Sequence, residues 1–151
     1  MNELAVENLK SSFALVFAEK AQLAERFYAH LFDQLPGVRP LFTGDEGRQR
    51  EMFGSMLVSS MRAMAEPGGI ETQLDILRRS HARLGLTPSQ LEAGANALMA
   101  ALIEVMGHQL SDDEKSAWAE AIVLLVQAMA PPGGKFDGPD QTAIQMYLSS
   151  R

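Results

Sequence analysis

The sequence predicts an all-α domain built from six long helices and one short helix. Apolar residues recur three or four positions apart along almost the whole chain, which is the spacing of helices that bury one face. Runs of β-branched residues with the length of a strand are missing. A chain of 151 residues is long enough for one such domain to bury a core without disulfides.

The ends of the helices are marked by residues that cap or terminate them. A capping hydroxyl lies three residues before Glu or Gln at Thr43, Thr87 and Ser111, which predicts three helix starts. Proline and glycine mark the stops, at Pro36-Gly37, Pro40, Pro67-Gly68-Gly69, Gly85 and Pro131-Pro132-Gly133-Gly134. The predicted helices span residues 3–18, 20–35, 45–65, 70–84, 88–109 and 112–130, with a short turn of helix near 37–42. We expect residues 1–131 to form one domain and 132–151 to form a C-terminal tail that is partly ordered or mobile.

The composition excludes several classes of chemistry and partner. The chain has no cysteine, which excludes disulfides, thiolate metal sites and cysteine nucleophiles, so that redox chemistry would need a cofactor. A net charge of −6 disfavours nucleic acid as a partner. The apolar stretches are too short to cross a bilayer, and the first helical segment lacks the basic region of a signal peptide. We therefore expect a cytoplasmic protein without a membrane partner.

One histidine interrupts an apolar helix face. His81 is in register with Leu74, Leu77 and Leu84, so its imidazole is expected to face the core. One ring nitrogen of a helical histidine can bond to the carbonyl one turn back, here that of Leu77, which leaves the other nitrogen free to bind a metal. A lone histidine on an apolar face is more often a satisfied core residue, and both interpretations stay open for His81 taken singly.

Three further residues place polar groups or a bulky ring where a cofactor pocket could form. Gln49 shares a helix face with apolar residues that follow it, and Tyr28 is in register with Ala24 and Leu31. Phe42 closes a segment flanked by prolines. Surface positions remain the alternative for Gln49 and Tyr28 taken singly. Together, a phenol, an amide and an imidazole from three helices are typical of the two faces of a haem pocket.

With these residues the chain resembles a bacterial haemoglobin of the flavohaemoglobin-related, single-domain kind, from about Leu9 to Met129. The stretches that carry the resemblance are ERFYAHLFDQLPGVRPLF, QREMF, LRRSHARLGLTPSQL and SAWAEA. The resemblance implies a globin fold around a pocket for haem b, iron protoporphyrin IX.

The resemblance also implies roles for particular residues. His81 matches the proximal iron ligand, Tyr28 the distal tyrosine and Gln49 the distal glutamine. Phe42 matches the phenylalanine that wedges the haem, and Phe53 the distal apolar contact. We expect further pocket contacts from Leu77, Leu86 and Leu98. Tyr28 or Gln49 could also bind the iron when no gas is present.

Two features depart from the family pattern. Flavohaemoglobins pair the proximal histidine with a tyrosine and a glutamate, and the matching positions here hold Leu91 and, approximately, Gly133. The imidazole is therefore expected to lack a hydrogen-bonded acid that would enrich the iron in electrons. The sequence ends at Arg151 without the reductase domain of that family, so nitric-oxide dioxygenation with its own electron supply is not expected.

The leading functional hypothesis is reversible binding of O2 or another diatomic gas, such as NO or CO, at five-coordinate ferrous haem. The first alternative is nitric-oxide dioxygenation that depends on a separate reductase. The second is a haem-based or haem-free globin that acts as a sensor or interaction domain. We expect a monomer or a homodimer.

A small basic cluster lies next to the predicted ligand. It consists of Arg78, Arg79 and Arg83. A solvated helix face is the favoured interpretation, and contact with anionic groups of a cofactor, such as haem propionates, is the alternative for Arg78 and Arg83.

Overall fold

The computed structural model of this chain contains six α-helices and one short 3₁₀ helix among the residues that it describes. These are residues 1–42 and 44–129, without the side chains of Leu41 and Thr72. The helices, in chain order, are α1 (Glu3–Ala18), α2 (Lys20–Gln34), the 3₁₀ helix (Pro36–Leu41), α3 (Glu46–Ala65), α4 (Ile70–Arg83), α5 (Pro88–Met106) and α6 (Asp112–Met129). The predicted all-α class, with six long helices and a short third one, is confirmed. The predicted tail, residues 132–151, lies outside the described residues.

Two of the three predicted caps are confirmed. Thr87 and Gln90 form a reciprocal capping box, in which the backbone N–H of Gln90 donates to the Thr87 hydroxyl oxygen at 3.2 Å. Ser111 and Glu114 form the same arrangement at the start of α6. These caps depend only on residues close in sequence, which is why the pattern alone predicts them.

The predicted cap at Thr43 is wrong. The start of α3 is capped by Asp45, whose carboxylate oxygen accepts hydrogen bonds from the backbone of Gly47 at 2.9 Å and Arg48 at 3.3 Å. Thr43 itself lies outside the described residues. A carboxylate at this position also favours the positive end of the helix dipole, so Asp45 is the better cap on physical grounds.

Helix α5 ends at Met106 and not at residue 109 as predicted. The chain turns at Gly107, where a Cβ atom would collide with the carbonyl oxygen of Ile103. The amides of Gln109 and Leu110 both bond back to the Met106 carbonyl, which closes the turn before Ser111 begins the next cap. Glycine at this position allows the close approach to Ile103, which the apolar periodicity does not reveal.

The helices pack so that the main neighbours of α4 are α3 and α6. α2 packs against α3, α5 and the 3₁₀ helix, while α1 packs against α3 and α6. α5 packs against α6, and α4 packs against α3 and α6. None of the helices among the described residues is both long enough and apolar enough to span a membrane.

The core is centred on Trp118, which is 1% exposed. Its indole N–H donates to the hydroxyl oxygen of Ser12 at 2.7 Å, a buried hydrogen bond that joins α6 to α1. Ser12 is fully buried, and its own hydroxyl lies within 3.0 Å of the carbonyl oxygens of Asn8 and Leu9. The Ser12 hydroxyl oxygen therefore gives the buried indole N–H of Trp118 a hydrogen-bond acceptor.

We expect Ser12→Ala to destabilise the fold by about 1–3 kcal/mol, because the Trp118 N–H loses its buried acceptor. Urea unfolding measures this change. The control is Ser11→Ala, since Ser11 is the exposed neighbour and its hydroxyl donates to the Glu114 carboxylate in an exposed hydrogen bond. Equal free energies of unfolding for the two variants would contradict the role assigned to Ser12.

Candidate functional site

Tyr28 lies at the centre of a cluster of aromatic rings. Its side chain is 9% exposed, and its ring contacts Phe42 edge-on with 5.5 Å between centroids. Phe53 from α3 approaches the same ring at 5.6 Å, and Phe32, one turn along α2, lies at 5.7 Å. Phe27 stacks on Phe53 at 4.2 Å. The cluster therefore joins α2 to α3 and to the end of the 3₁₀ helix.

The phenol of Tyr28 is hydrogen bonded to Gln49. The Gln49 amide nitrogen donates to the phenol oxygen at 3.3 Å. The hydroxyl hydrogen of Tyr28 donates to no side chain or carbonyl among the described residues. Gln49 thus fixes the position of the phenol oxygen, and a buried O–H donor remains available to a small ligand.

Tyr28 and Gln49 both line a cavity of about 460 Å³. Its remaining lining comes from Phe32, the 3₁₀ helix and the turn into α3, including Pro36, Arg39, Pro40, Phe42, Asp45, Glu46 and Arg50. This volume falls within the range of pockets that hold small molecules and cofactors, about 300–1,000 Å³.

His81 lies on α4 and is half-buried. Its Nδ1 is 2.7 Å from the carbonyl oxygen of Leu77, which confirms the predicted bond to the preceding turn. Because a carbonyl can only accept, Nδ1 carries the hydrogen, and Nε2 of the neutral ring has a free lone pair. Nε2 has no hydrogen-bond partner within residues 1–42 and 44–129. The ring therefore has the tautomer that a metal ligand needs.

The structure brings together some of the predicted site residues and leaves others apart. Tyr28, Phe42 and Gln49 line the cavity, and Phe53 contacts the Tyr28 ring. The predicted site residues that do not line the cavity are Phe53, Leu77, His81, Leu86 and Leu98. Leu77 is buried, and Leu86 is half-buried and packed against the core. Leu98 lies in the core beside Trp118 and Ile122.

Sequence reasoning missed Phe32 and the charged mouth of the cavity. Arg39 on the 3₁₀ helix pairs with Glu46 at 3.2 Å, and its guanidinium lies 5.0 Å from the centre of the Phe32 ring. Arg50 approaches the same carboxylate at 3.9 Å. The only sequence signal for Phe32 is its position one helical turn after Tyr28.

The basic cluster near His81 is solvent-exposed. Arg78 and Arg79 each donate a guanidinium hydrogen to a backbone carbonyl, that of Ala128 at 2.7 Å and that of Asp75 at 3.3 Å respectively. Arg83 is also exposed. A solvated face, the favoured interpretation of the sequence, agrees with these positions.

Burial raises the pKa of the Tyr28 phenol above its ordinary value, and the hydrogen bond from Gln49 opposes this shift. The folded chain therefore favours the protonated phenol more than the unfolded chain does. We expect this contribution to stability to be present below a pH of about 10 and to be lost as the pH rises through the folded pKa. Tyrosinate absorbance measures the titration.

The chain contains two tyrosines, so the Tyr147→Phe variant isolates the signal of Tyr28. A Tyr28 phenol that titrates at or below the ordinary tyrosine pKa in the folded Tyr147→Phe protein would contradict the buried environment described above.

Comparisons with known proteins agree on one family. The family model for Globin matches residues 25–129. A flavohemoprotein of Rhizobium meliloti is 25% identical over 111 residues, which cover 72% of this chain and 28% of the relative. A flavohemoprotein of Chromobacterium violaceum is 23% identical over 124 residues, which cover 80% of this chain and 31% of the relative. The chain thus spans less than a third of the length of these two relatives.

Solved structures show the same fold. A bacterial globin from Campylobacter jejuni superposes with a TM-score of 0.74 at 16% identity, over 83% of this chain and 91% of that one. A flavohemoglobin from Malassezia yamatoensis, with bound FAD and heme, superposes with a TM-score of 0.72 at 19% identity, over 85% of this chain and 35% of that one. The family model covers well over half of the sequence, and this chain belongs to the globin family.

Proposed function

We propose that this chain binds one haem between α3 and α4 and, through it, a diatomic gas, O2 in the first instance. The observation that carries the proposal is the imidazole of His81, which donates from Nδ1 to the Leu77 carbonyl and whose Nε2 has no partner in the described part of the chain. Membership of the globin family and the similarity to a flavohemoglobin with bound heme support it.

The residues present fit a haem in three respects. Nε2 of His81 is a nitrogen donor of the kind that holds haem iron. The O–H of Tyr28 is a buried donor without an acceptor among the described residues, next to a cavity of about 460 Å³. Phe42 and Phe53 supply apolar surface beside that donor. Because the chain has no cysteine for thioether attachment, we expect non-covalent haem b.

No described side chain of α4 lines the cavity, and α4 packs against α3, so we expect haem binding to move these two helices apart. Leu74 and Leu77 are the buried side chains of α4 among those described, which gives this helix little apolar area to hold it in place. Weakly packed helices are the elements that open most readily. We therefore expect Leu77, Leu86 and Leu98 to contact the haem only after this movement.

Each residue then has a defined task. When bound, the haem supplies the iron at which a diatomic gas binds reversibly. His81 would hold the iron through Nε2. Tyr28 would donate its O–H toward a bound gas, while the Gln49 amide donates to the phenol oxygen and makes that O–H a stronger donor. The rings of Phe42 and Phe53 place apolar surface beside the Tyr28 ring.

Titration of haem into the haem-free protein tests the proposal. We expect a Soret band that grows until one haem is bound per chain. A spectrum that remains that of free haem at every ratio would overturn it.

The second candidate is nitric-oxide dioxygenation, in which NO and O2 form nitrate with the uptake of one electron per turnover. Similarity to longer flavohemoproteins, and to the fold of a flavohemoglobin solved with bound FAD and heme, favours it. A separate reductase would supply the electron. Sustained NO consumption with O2, a reductase and NADH would support this candidate, and a single turnover under the same conditions would contradict it.

A further inference from the structure

The helix that carries His81 has a weak attachment to the rest of the molecule. α4 packs against α3 and α6, and its buried side chains among those described are Leu74 and Leu77. Leu77 also provides the carbonyl that accepts the Nδ1 hydrogen of His81. Because both partners of this bond belong to α4, the imidazole moves with the helix when α4 moves relative to α6.

One polar contact crosses from α4 to the end of α6. Nε of Arg78 donates to the carbonyl oxygen of Ala128 at 2.7 Å. Ala128 lies in the last turn of α6, where carbonyls lack a partner within the helix. A guanidinium at this place also compensates the negative end of the helix dipole. Arg78 is thus a permanent cation on α4 that donates to a carbonyl at the end of α6.

We propose that Arg78 is a positioning residue that holds α4 against the end of α6 and thereby sets the orientation of the His81 imidazole. Arg78 directly follows Leu77 in the chain, so the contact with Ala128 fixes the backbone beside the carbonyl that orients the ring. The importance of this orientation for the iron rests on the proposed function. The contact between Arg78 and α6 does not depend on that function.

The chain offers a matched control in the next residue. Arg79 is also an exposed arginine on α4, but its Nε donates to the backbone carbonyl oxygen of Asp75 in the same helix at 3.3 Å. Arg78→Gln and Arg79→Gln therefore remove the same charge from the same helix, and only the first breaks a contact with α6. Arg78→Lys keeps a cation that can still reach the end of α6.

The first measurement uses the full chain without haem. We expect the backbone amides of α4 to exchange with solvent about two- to tenfold faster in Arg78→Gln than in Arg79→Gln, because one charged hydrogen bond to α6 is lost. Arg78→Lys should restore part of the protection. Nitrogen NMR shifts of the His81 ring should also move toward a mixture of tautomers in Arg78→Gln, as the Leu77 bond weakens.

The second measurement uses the haem-loaded protein. The iron–histidine stretching band in the ferrous state should shift or broaden in Arg78→Gln, and should match the wild-type band in Arg79→Gln. A purely structural role for Arg78 would lower stability without altering this band.

Two results would overturn the inference. The first is equal α4 exchange in Arg78→Gln and Arg79→Gln, and the second is faster exchange with an unchanged His81 ring signal and band. A wild-type chain that takes up no haem would overturn the proposed function instead, and the exchange and ring measurements would still decide the role of Arg78.

Discussion

Replacement of His81 by glycine is expected to abolish stable haem binding. The variant removes the nitrogen that we propose as the iron ligand, while the fold should persist because, among the described residues, the ring bonds only to Leu77 of its own helix. Glycine within a helix costs about 1 kcal/mol relative to alanine, which is small against the stability of a domain of this size. The measurement is the Soret absorbance that remains with the protein after haem loading and gel filtration.

Two controls separate loss of the ligand from loss of the fold. Free imidazole added to His81→Gly should restore much of the Soret band, since it can occupy the space of the missing ring. His108→Gly changes an exposed histidine in the turn after α5 and should retain haem as the wild type does. Full retention of haem by His81→Gly would contradict the assignment of His81 as the ligand.

Tyr28→Phe is expected to speed the release of O2 on the order of tenfold, because a hydrogen bond to a polar ligand in a dry pocket contributes about 1–2 kcal/mol. The ring contacts with Phe42 and Phe53 do not involve the hydroxyl, so the variant should keep the aromatic cluster. Stopped-flow measurement of O2 dissociation from the ferrous protein gives the rate. Autoxidation should also become faster.

Carbon monoxide provides the internal control for this prediction. CO is less polar than O2 when bound, so its release should change far less in Tyr28→Phe. Unchanged O2 release and unchanged autoxidation would remove the proposed distal role of Tyr28. Equal acceleration for both gases would point to altered access to the pocket and not to a lost hydrogen bond.

The helices could be predicted from the sequence because their signals are local. The boxes at Thr87 and Ser111 connect residues three apart, and the structure contains both. The prediction of Thr43 as a cap failed because Asp45 lies closer to the helix and also caps well. The turn at Gly107 was missed for a related reason, since the apolar pattern continues past the glycine that ends α5.

The candidate site was predictable where a polar residue interrupts an apolar face. Tyr28, Gln49 and His81 each stand out in this way, and the bond from His81 to the Leu77 carbonyl follows from helix geometry alone. The roles of these residues toward a haem stay predictions. The pairing of Tyr28 with Gln49 needed the packing of α2 against α3, which no short stretch of sequence reveals.

Contacts between segments far apart in the chain could not be predicted from the sequence. Phe32 and Arg39 join the cavity because the 3₁₀ helix packs on α2. The bond from Arg78 to Ala128 connects residues 50 positions apart, and the bond from Trp118 to Ser12 connects residues 106 apart. Such pairs arise from the packing of whole helices, and periodicity alone carries no information about them.

The proposed haem site is tested by the absorption spectrum of the haem-loaded protein, reduced and then exposed to CO. We expect a five-coordinate ferrous spectrum with a nitrogen ligand, followed by a sharp, shifted Soret band on addition of CO. A six-coordinate ferrous spectrum would mean that Tyr28, Gln49 or another side chain occupies the gas position. No Soret band in the protein fraction would contradict haem binding by this chain.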